Sequence, residues 1–564
     1  MRYICTRRCL LVLTSMVVLA ALFSTLLLAQ STNKAFASKP KTLERKFDPV
    51  VFRIGPTSGL YRLRVNDLFA YKFDAANNKW ARIPFQIDTL DSKGQQLLAT
   101  NVVVDSNFTD EAVFMPEDAG DQADINQWLP DAGAQQFKRF ELEVADPLTP
   151  DKKGWVYLYQ KVATAPPVKG YIDYVPAPQG AGSDTVKGLT YVEGHNSIGW
   201  TNSVKLPKVS DLNLFDQFKI RLKGSSFLIG SYTATEKDNI NFVSLNFGKG
   251  PVRGLRLWEF EIFLMVAGNP FSLGKVPFTT QYYPYSSLLG GNFIVSSQNT
   301  ALAGLNLLRL SQDLSANASG MQFYSSTDAT KSYLIDGVED LPGSTLQDRT
   351  WLMATGTRGT ILILVKVPTI SGTARKLYYY DNSTSGRTGD GTPDTGDLKS
   401  YGDMGIRFDG TVTGTLTLSF DLNTFYLDPA ANPRALGEQL NSFRQFPMEV
   451  AVRPQTMTPS AVAEPGKNPN AFALFDAHPN PFKTSEGVVR INFNLGVNSR
   501  SARLRLFNLL GQEVARFDVA DLLQNQTVLW DGRDRLGRLV PAGVYFYQLQ
   551  AGRQRAVKKL VLMR

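Results

Sequence analysis

Hydrophobic and polar positions alternate along much of the chain. Thr415-Leu416-Thr417-Leu418-Ser419-Phe420-Asp421 alternates strictly, which puts Leu416, Leu418 and Phe420 on one face and hydroxyls on the other. Phe140-Glu141-Leu142-Glu143-Val144 does the same. Arg256 to Val266 predicts a longer strand, with Trp258, Phe260, Ile262, Leu264 and Val266 sharing a face. Thr360-Ile361-Leu362-Ile363-Leu364-Val365 is apolar at successive positions and predicts a central strand covered on both sides. Helix signals are few. The best starts at Asn432 as N-cap with Pro433 at the first position, after which Leu436, Leu440 and Phe443 fall on one face. No fixed-period repeat is present. Long strands over residues 47–453 predict an all-β region of large packed antiparallel sheets, either one large β-sandwich or two in tandem.

The two ends differ from this middle. Arg2, Arg7 and Arg8 precede an apolar run from Leu10 to Ala29, and Ala35-Phe36-Ala37 then supplies a small-x-small cleavage site. Those are the parts of an export signal, expected over residues 1–37. An uncleaved anchor also needs about 20 apolar residues, but Thr14, Ser15, Ser24 and Thr25 weaken the run. With the leader removed, no permanent membrane span is expected. Residues 454–472 are rich in Pro, Thr, Gly and Asn without apolar periodicity and read as a linker.

From 473 to 564 short period-2 strands alternate with glycine turns, which predicts a small antiparallel sandwich. Its punctuation is specific: His478-Pro479-Asn480-Pro481-Phe482, Leu510-Gly511-Gln512-Glu513-Val514, Trp530-Asp531-Gly532-Arg533-Asp534, Gly543-Val544-Tyr545-Phe546-Tyr547, and a closing Lys558-Lys559. In combination these motifs resemble the C-terminal sorting domain of type IX secretion substrates. They are also similar to the Ig-like domain of flagellar hook-capping proteins (FlgD-like). The resemblance implies an Ig-like fold, outer-membrane secretion machinery as partner, and delivery to the cell surface or medium. The sorting residues it singles out are Pro479, Asn480, Pro481, Gly511, Trp530, Asp531, Gly532, Gly543, Tyr545, Lys558 and Lys559. Over the middle of the chain the pattern is loosely similar to the large sandwiches of carbohydrate-active proteins, with no motif behind it.

Composition narrows the chemistry. The 564 residues include two cysteines, Cys5 and Cys9, and two histidines, His195 and His478. Both cysteines belong to the leader, so Cys-based zinc sites, disulfide frameworks and thiol nucleophiles are excluded from the exported chain. The net charge of +9 also has an address. The leader holds four basic and no acidic residues, and the segment from Ala473 holds 14 basic and 7 acidic. Of the chain's 60 basic and 51 acidic residues, 42 and 44 remain between them. The middle is near neutral and gives no reason to expect nucleic acid as a ligand.

Three features could carry chemistry there. Glu193-Gly194-His195-Asn196, followed by Trp200, pairs an imidazole with a carboxylate, as general acid–base catalysis requires. A histidine hydrogen-bonded within a turn reads the same way. Asp390, Asp394 and Asp397 lie in a glycine- and hydroxyl-rich stretch that could supply oxygen ligands to calcium, although the spacing departs from the EF-hand and suits a solvated loop equally. Asp118, Asp121 and Asp124 form a smaller cluster of the same kind. Tyr282, Tyr283 and Tyr285, with Tyr378-Tyr379-Tyr380, offer flat faces and hydroxyls suited to sugars, or simply fill strands. No phosphate-binding loop, dinucleotide fingerprint or nucleophile elbow is present.

The sequence therefore predicts an exported surface protein whose central β region binds an extracellular ligand, a glycan before a protein. One histidine favours binding over catalysis. Two alternatives stand beside it: an extracellular polysaccharide hydrolase or lyase using His195, Glu193 and a tyrosine, and a structural surface-layer component.

Overall fold

Strand Gly359–Lys366 lies near the middle of the largest sheet and is buried on both faces. Ile361, Ile363 and Val365 enter one core, and Leu362 and Leu364 enter another. The computed structural model describes residues 38–563 apart from 56–57, 61–62, 90–103, 105–109, 180, 227–229, 296–303, 341, 343–345, 347–348, 367–372, 385–388, 390, 393–398, 412–415, 458–471, 485–487, 496–501, 520–524, 536 and 553. Residues 1–37, where an export signal is expected, and Asp390, Asp394 and Asp397 lie outside the described residues, as do the side chains of Leu416 and Leu418. The chain divides into two compact units, Met1–Met457 and Thr458–Arg564, and both are β-structured.

In the first unit a nine-stranded antiparallel sheet runs in the order Ile240–Lys249, Gly254–Val266, Asn269–Tyr282, Ser286–Val295, Leu416–Leu427, Gly359–Lys366, Arg349–Gly356, Gln322–Ser325, Asp328–Leu334. A five-stranded sheet, Gly230–Thr235, Phe215–Ser226, Leu305–Leu314, Ser400–Asp409, Ala374–Asn382, packs on one face of it. The core between them takes alternate residues from both: Trp258, Phe260, Ile262, Phe278 and Phe420 on one side, and Phe218, Ile220, Leu308, Leu310 and Ile406 on the other. Against the opposite face of the nine-stranded sheet lies the α-helix Pro433–Gln445, its N-terminus capped by Asn432 Oδ1, which accepts from Ala435 N at 3.3 Å. Leu440 is buried there and Leu436 and Phe443 are half-buried, as their spacing predicts.

A smaller sandwich forms from the N-terminal strands. Its three-stranded sheet is Val50–Arg53, Glu111–Phe114, Gln86–Asp88. The five-stranded partner is Glu449–Gln455, Arg139–Asp146, Thr149–Gln160, Leu68–Asp74, Lys79–Arg82. The two sandwiches are not in simple tandem. After the helix the chain returns, and Glu449–Gln455 pairs antiparallel with Arg139–Asp146, placing Val452 opposite Leu142. One edge of the small sandwich is thus made by the last strand of the unit. A four-stranded sheet, Thr201–Lys205, Val192–His195, Thr185–Lys187, Asp173–Val175, carries the histidine segment.

The second unit has its own core, with Leu504, Leu506, Tyr547, Leu549 and Leu560 at its centre. Three strands, Ala473–Leu474, Val489–Asn494 and Asn525–Trp530, form one sheet. The other runs Phe482–Lys483, Gln554–Met563, Gly543–Ala551, Ala502–Phe507, Glu513–Val519, its first pair being parallel.

Candidate functional site

His195 ends the strand Val192–His195, where the register with Thr201–Lys205 shifts after Gly194. The chain then turns sharply. Asn196 Oδ1 accepts from Ile198 N (3.2 Å) and Trp200 N (3.0 Å). Gly199 closes the turn at φ +89°, and a Cβ there would lie 3.1 Å from the Trp258 ring. The turn drives Trp200 into the main core, stacked on Phe218 at 5.0 Å and edge-on to Trp258 at 4.7 Å.

The imidazole sits between two carboxylates. Its Nδ1 lies 2.8 Å from Asp184 Oδ1, and its Nε2 is 3.3 Å from Glu193 Oε1 and 3.0 Å from the Tyr282 hydroxyl. Glu193 accepts from Thr201 Oγ1 (3.0 Å), from the Tyr426 hydroxyl at Oε2 (2.9 Å) and from the Tyr282 hydroxyl (3.3 Å). Asp184 is gripped from its other side by Arg256, with Nε at 3.0 Å from Oδ2 and Nη2 at 3.0 Å from Oδ1. The remaining Arg256 donors reach the carbonyls of Gly199 (3.0 Å) and Gly182 (3.2 Å). Two cations and two carboxylates therefore alternate along one buried chain, Arg256–Asp184–His195–Glu193, with no net charge.

Burial and the Arg256 charge work against a protonated imidazole, but the bonds to Asp184 and Glu193 outweigh them and raise its pKa above the ordinary 6.5. Burial opposes ionisation of both carboxylates too. Even so, bonds to His195 and Arg256 bring Asp184 down to about 2, and bonds to His195, Tyr426 and Thr201 hold Glu193 below its ordinary 4.5. With a carboxylate facing each ring nitrogen, the arrangement favours the imidazolium, which donates through both.

This charge chain fixes a pH dependence. The Glu193 and Asp184 contributions are present above 4.5 and 3.8 and are lost as pH falls through their lowered folded values. The His195 contribution is present below 6.5 and is lost as pH rises through its raised folded value. Urea unfolding of the full chain should therefore show the network's stabilisation at its fullest between those limits. A His195→Gln chain should be less stable at pH 5.5 and lack the decline that sets in as pH rises above 6.5. Equal slopes for both proteins in that range would refute the charged-imidazole assignment.

Beside this chain lies an internal space of about 20 Å³, lined by Glu193, His195, Trp200, Thr280, Gln312 and Thr424 among others. It has room for a single water. The side chains of His195 and Asp184 are 1% and 0% exposed, so the cluster is closed to solvent.

The other candidate residues are placed as follows. Trp200, Tyr282, Tyr283 and Tyr285 are all buried. Tyr283 donates to Gln281 Oε1 (2.6 Å), and Tyr285 donates to Glu117 Oε1 (2.6 Å) and packs on Phe47. Tyr379 stacks on Phe323 at 4.0 Å within the core. Asp121 accepts from the backbone at Lys41 and Ala75, and Asp124 caps a turn at Asn126. Asp118 accepts from the Tyr171 hydroxyl at 2.8 Å, and burial raises its pKa to about 6. Among the described residues no group of three or more His, Cys, Asp or Glu side chains could hold a metal ion. The structure thus brings together His195, Glu193 and Tyr282 and adds Asp184, Arg256 and Tyr426, which sequence reasoning missed. Arg256 carried a signal: it falls in phase with Trp258 and Phe260 on the apolar face of its strand, where a cation needs a buried carboxylate.

In the second unit the motif residues build one frame. Asn480 Oδ1 accepts from Val561 N (3.0 Å) and its Nδ2 donates to the Lys559 carbonyl (3.0 Å). Both flanking bonds, His478–Pro479 and Asn480–Pro481, are cis. Lys558 pairs with Asp476 at 2.6 Å. Buried Trp530 donates to the Arg533 carbonyl (2.8 Å), and Asp531 accepts from Arg533 N (3.1 Å). Gly511 and Gly532 sit at turns, and Gly543 opens the strand containing Tyr545, whose hydroxyl donates to the Pro541 carbonyl (2.6 Å). His478 pairs with Arg490 through a backbone bridge.

No family model matches the chain, and no curated protein matches it. Among solved structures it has low-scoring likenesses to an α-mannosidase from Enterococcus faecalis V583, with 10% identity, TM-score 0.32, and coverage of 85% of this chain and 52% of that one. Others are latent PorU of Porphyromonas gingivalis (9% identity, TM-score 0.14, 76% and 30%) and PorZ of the same organism, a surface component of the type IX secretion system (12%, TM-score 0.13, 70% and 51%). The chain spans about half the length of the mannosidase. At these scores the likenesses carry no argument about activity. Among the described residues no helix is long and apolar enough to cross a membrane.

Proposed function

We propose that this chain is an exported cell-surface protein in which residues 473–564 carry the export address and residues 47–453 form a β scaffold that binds an extracellular ligand without transforming it. The observation that carries the address is the joining of its two ends. The Pro479-Asn480-Pro481 segment is hydrogen-bonded to the strand containing Lys558 and Lys559 through both atoms of one amide side chain. Two of the motifs that resemble a sorting domain are thus joined within a unit that has its own core. Binding rather than catalysis is favoured by the closure of the His195 cluster. A substrate reaching His195 and Glu193 would have to enter a space of about 20 Å³. A glycan as ligand rests on composition and pattern. With Trp200, Tyr282, Tyr283 and Tyr285 buried, a sugar would be met by other surfaces of the scaffold.

Deletion of residues 473–564 tests the reading in the native host. Surface labelling and protease accessibility of intact cells should show the truncated chain retained inside and the full chain outside. A truncated chain that still reaches the surface overturns the address.

A further inference from the structure

Leu509, Leu510 and Leu539 are 69%, 83% and 54% exposed in the second unit. Three leucines in open solvent at one place call for a partner. Their exposure is built in. Asn508 Oδ1 accepts from Leu510 N and Gln512 N, both at 3.0 Å, and its Nδ2 donates to Gln512 Oε1 at 2.8 Å. Gly511 closes the same turn, so both leucines are carried on a fixed backbone. Across from it the loop bearing Leu539 is fixed by Asp534, which accepts from Arg538 N and Nε, both at 2.9 Å. The Tyr545 hydroxyl donates to the Pro541 carbonyl and holds that wall. Between the two turns lies a concavity of about 530 Å³, with Leu509, Leu510, Val514, Leu539 and Val544 among its walls. That volume suits a few side chains of a bound segment.

The surroundings select its charge. Glu513 is the shared partner of Arg516 (2.9 Å), Arg535 (3.9 Å) and Arg505 (4.0 Å). One carboxylate facing three guanidiniums leaves positive charge in excess there, whereas Arg533 and Arg538 are each matched by a carboxylate, Asp531 at 3.5 Å and Asp534 at 2.9 Å. A second copy of this basic segment would be repelled. We infer that this groove docks an acidic peptide segment bearing apolar side chains, contributed by a protein that handles the chain during export. The inference rests on the reading of residues 473–564 as an export address, and it assigns the address a contact surface.

The test uses the full chain in its exporting host, with a photo-reactive phenylalanine analogue in place of Leu510 and cross-linked peptides read by mass spectrometry. The expected product joins position 510 to a protein segment in which Asp or Glu flanks Leu, Ile or Phe. Its yield should fall about tenfold in an Arg516→Glu, Arg535→Glu chain, as loss of rim charge slows encounter. Leu509→Ser, Leu510→Ser, Leu539→Ser should block export while leaving the thermal unfolding of the purified chain unchanged, because these side chains are outside the core. Cross-links to lipid, to a second copy or to a basic segment overturn the inference. So does normal export of the triple variant while the 473–564 deletion blocks it, an outcome that leaves the address reading standing. Normal export of the deletion chain removes both.

Discussion

Arg256→Met should destabilise the first unit by about 3–5 kcal/mol, the usual result of removing one partner from a buried charge network. Methionine matches the length of the arginine stem but supplies none of its donors. Asp184 then keeps only the imidazole as a charged partner, and the carbonyls of Gly199 and Gly182 lose their bonds in a buried region. The chain Arg256–Asp184–His195–Glu193 changes from neutral to a net negative charge inside the core. Urea unfolding followed by tryptophan fluorescence reports it directly, since Trp200 and Trp258 flank the network. Adding Asp184→Asn to Arg256→Met should cost less than it does in the unmutated chain, because the stranded charge is gone. The decline in stability at alkaline pH should also move upward, since Arg256 opposes the protonation of His195. A loss under 1 kcal/mol, with additive behaviour in the double variant, would show that the four groups do not act together.

Arg253→Met should act at the joint between the small N-terminal sheet and the large sandwich, at about 3 kcal/mol. The Arg253 guanidinium reaches Asp88 through Nε (2.8 Å) and Nη2 (2.5 Å), Glu111 through Nη2 (2.9 Å), and the Tyr283 hydroxyl and Gln281 through Nη1 (3.3 and 3.2 Å). Asp88 and Glu111 belong to the three-stranded sheet, whereas Arg253 lies in the turn before strand Gly254–Val266, Gln281 near the end of Asn269–Tyr282 and Tyr283 just beyond it, at one end of the nine-stranded sheet. The carboxylates are 18% and 19% exposed, so water recovers part of their solvation and the loss falls at the lower end of the range. Amide hydrogen exchange over Glu111–Phe114 should quicken more than over Gly359–Lys366, because only the first depends on this joint. Uniform acceleration across both strands would contradict that assignment. Asp88→Asn with Glu111→Gln should recover part of the loss, as the orphaned charges are removed.

Several elements were legible because they depend on near neighbours. The strand through Ile361–Val365 reads as doubly covered since it lacks a polar phase, and the helix after Asn432 reads from its cap and from Leu436, Leu440 and Phe443. The punctuation of residues 473–564 is likewise local. Trp200 and Tyr282–Tyr285 were harder. An aromatic beside Gly and Asn reads as a loop residue offered to a ligand, yet Gly199 folds the chain back and the indole enters the core. His195 and Glu193 were visible as a pair, but nothing in their spacing says whether they face water.

By itself, the sequence determined the all-β class, the strand phases, the helix and its cap, and the confinement of the net basic excess to the two ends. Each follows from side-chain periodicity or composition over a few residues. The tertiary structure alone decided that Glu449–Gln455 closes the small sandwich against Arg139–Asp146, where Arg453 meets Glu141 across 312 positions. It also decided that Glu193 meets Tyr426 across 233 positions and that Asp184 meets Arg256 across 72. Antiparallel registers and buried charge pairs bring together residues whose separation along the chain leaves no local trace. What looked like an exposed acid–base pair is therefore one link in a closed ionic chain, since burial is a property of the packed sheets around His195 and not of its sequence neighbours.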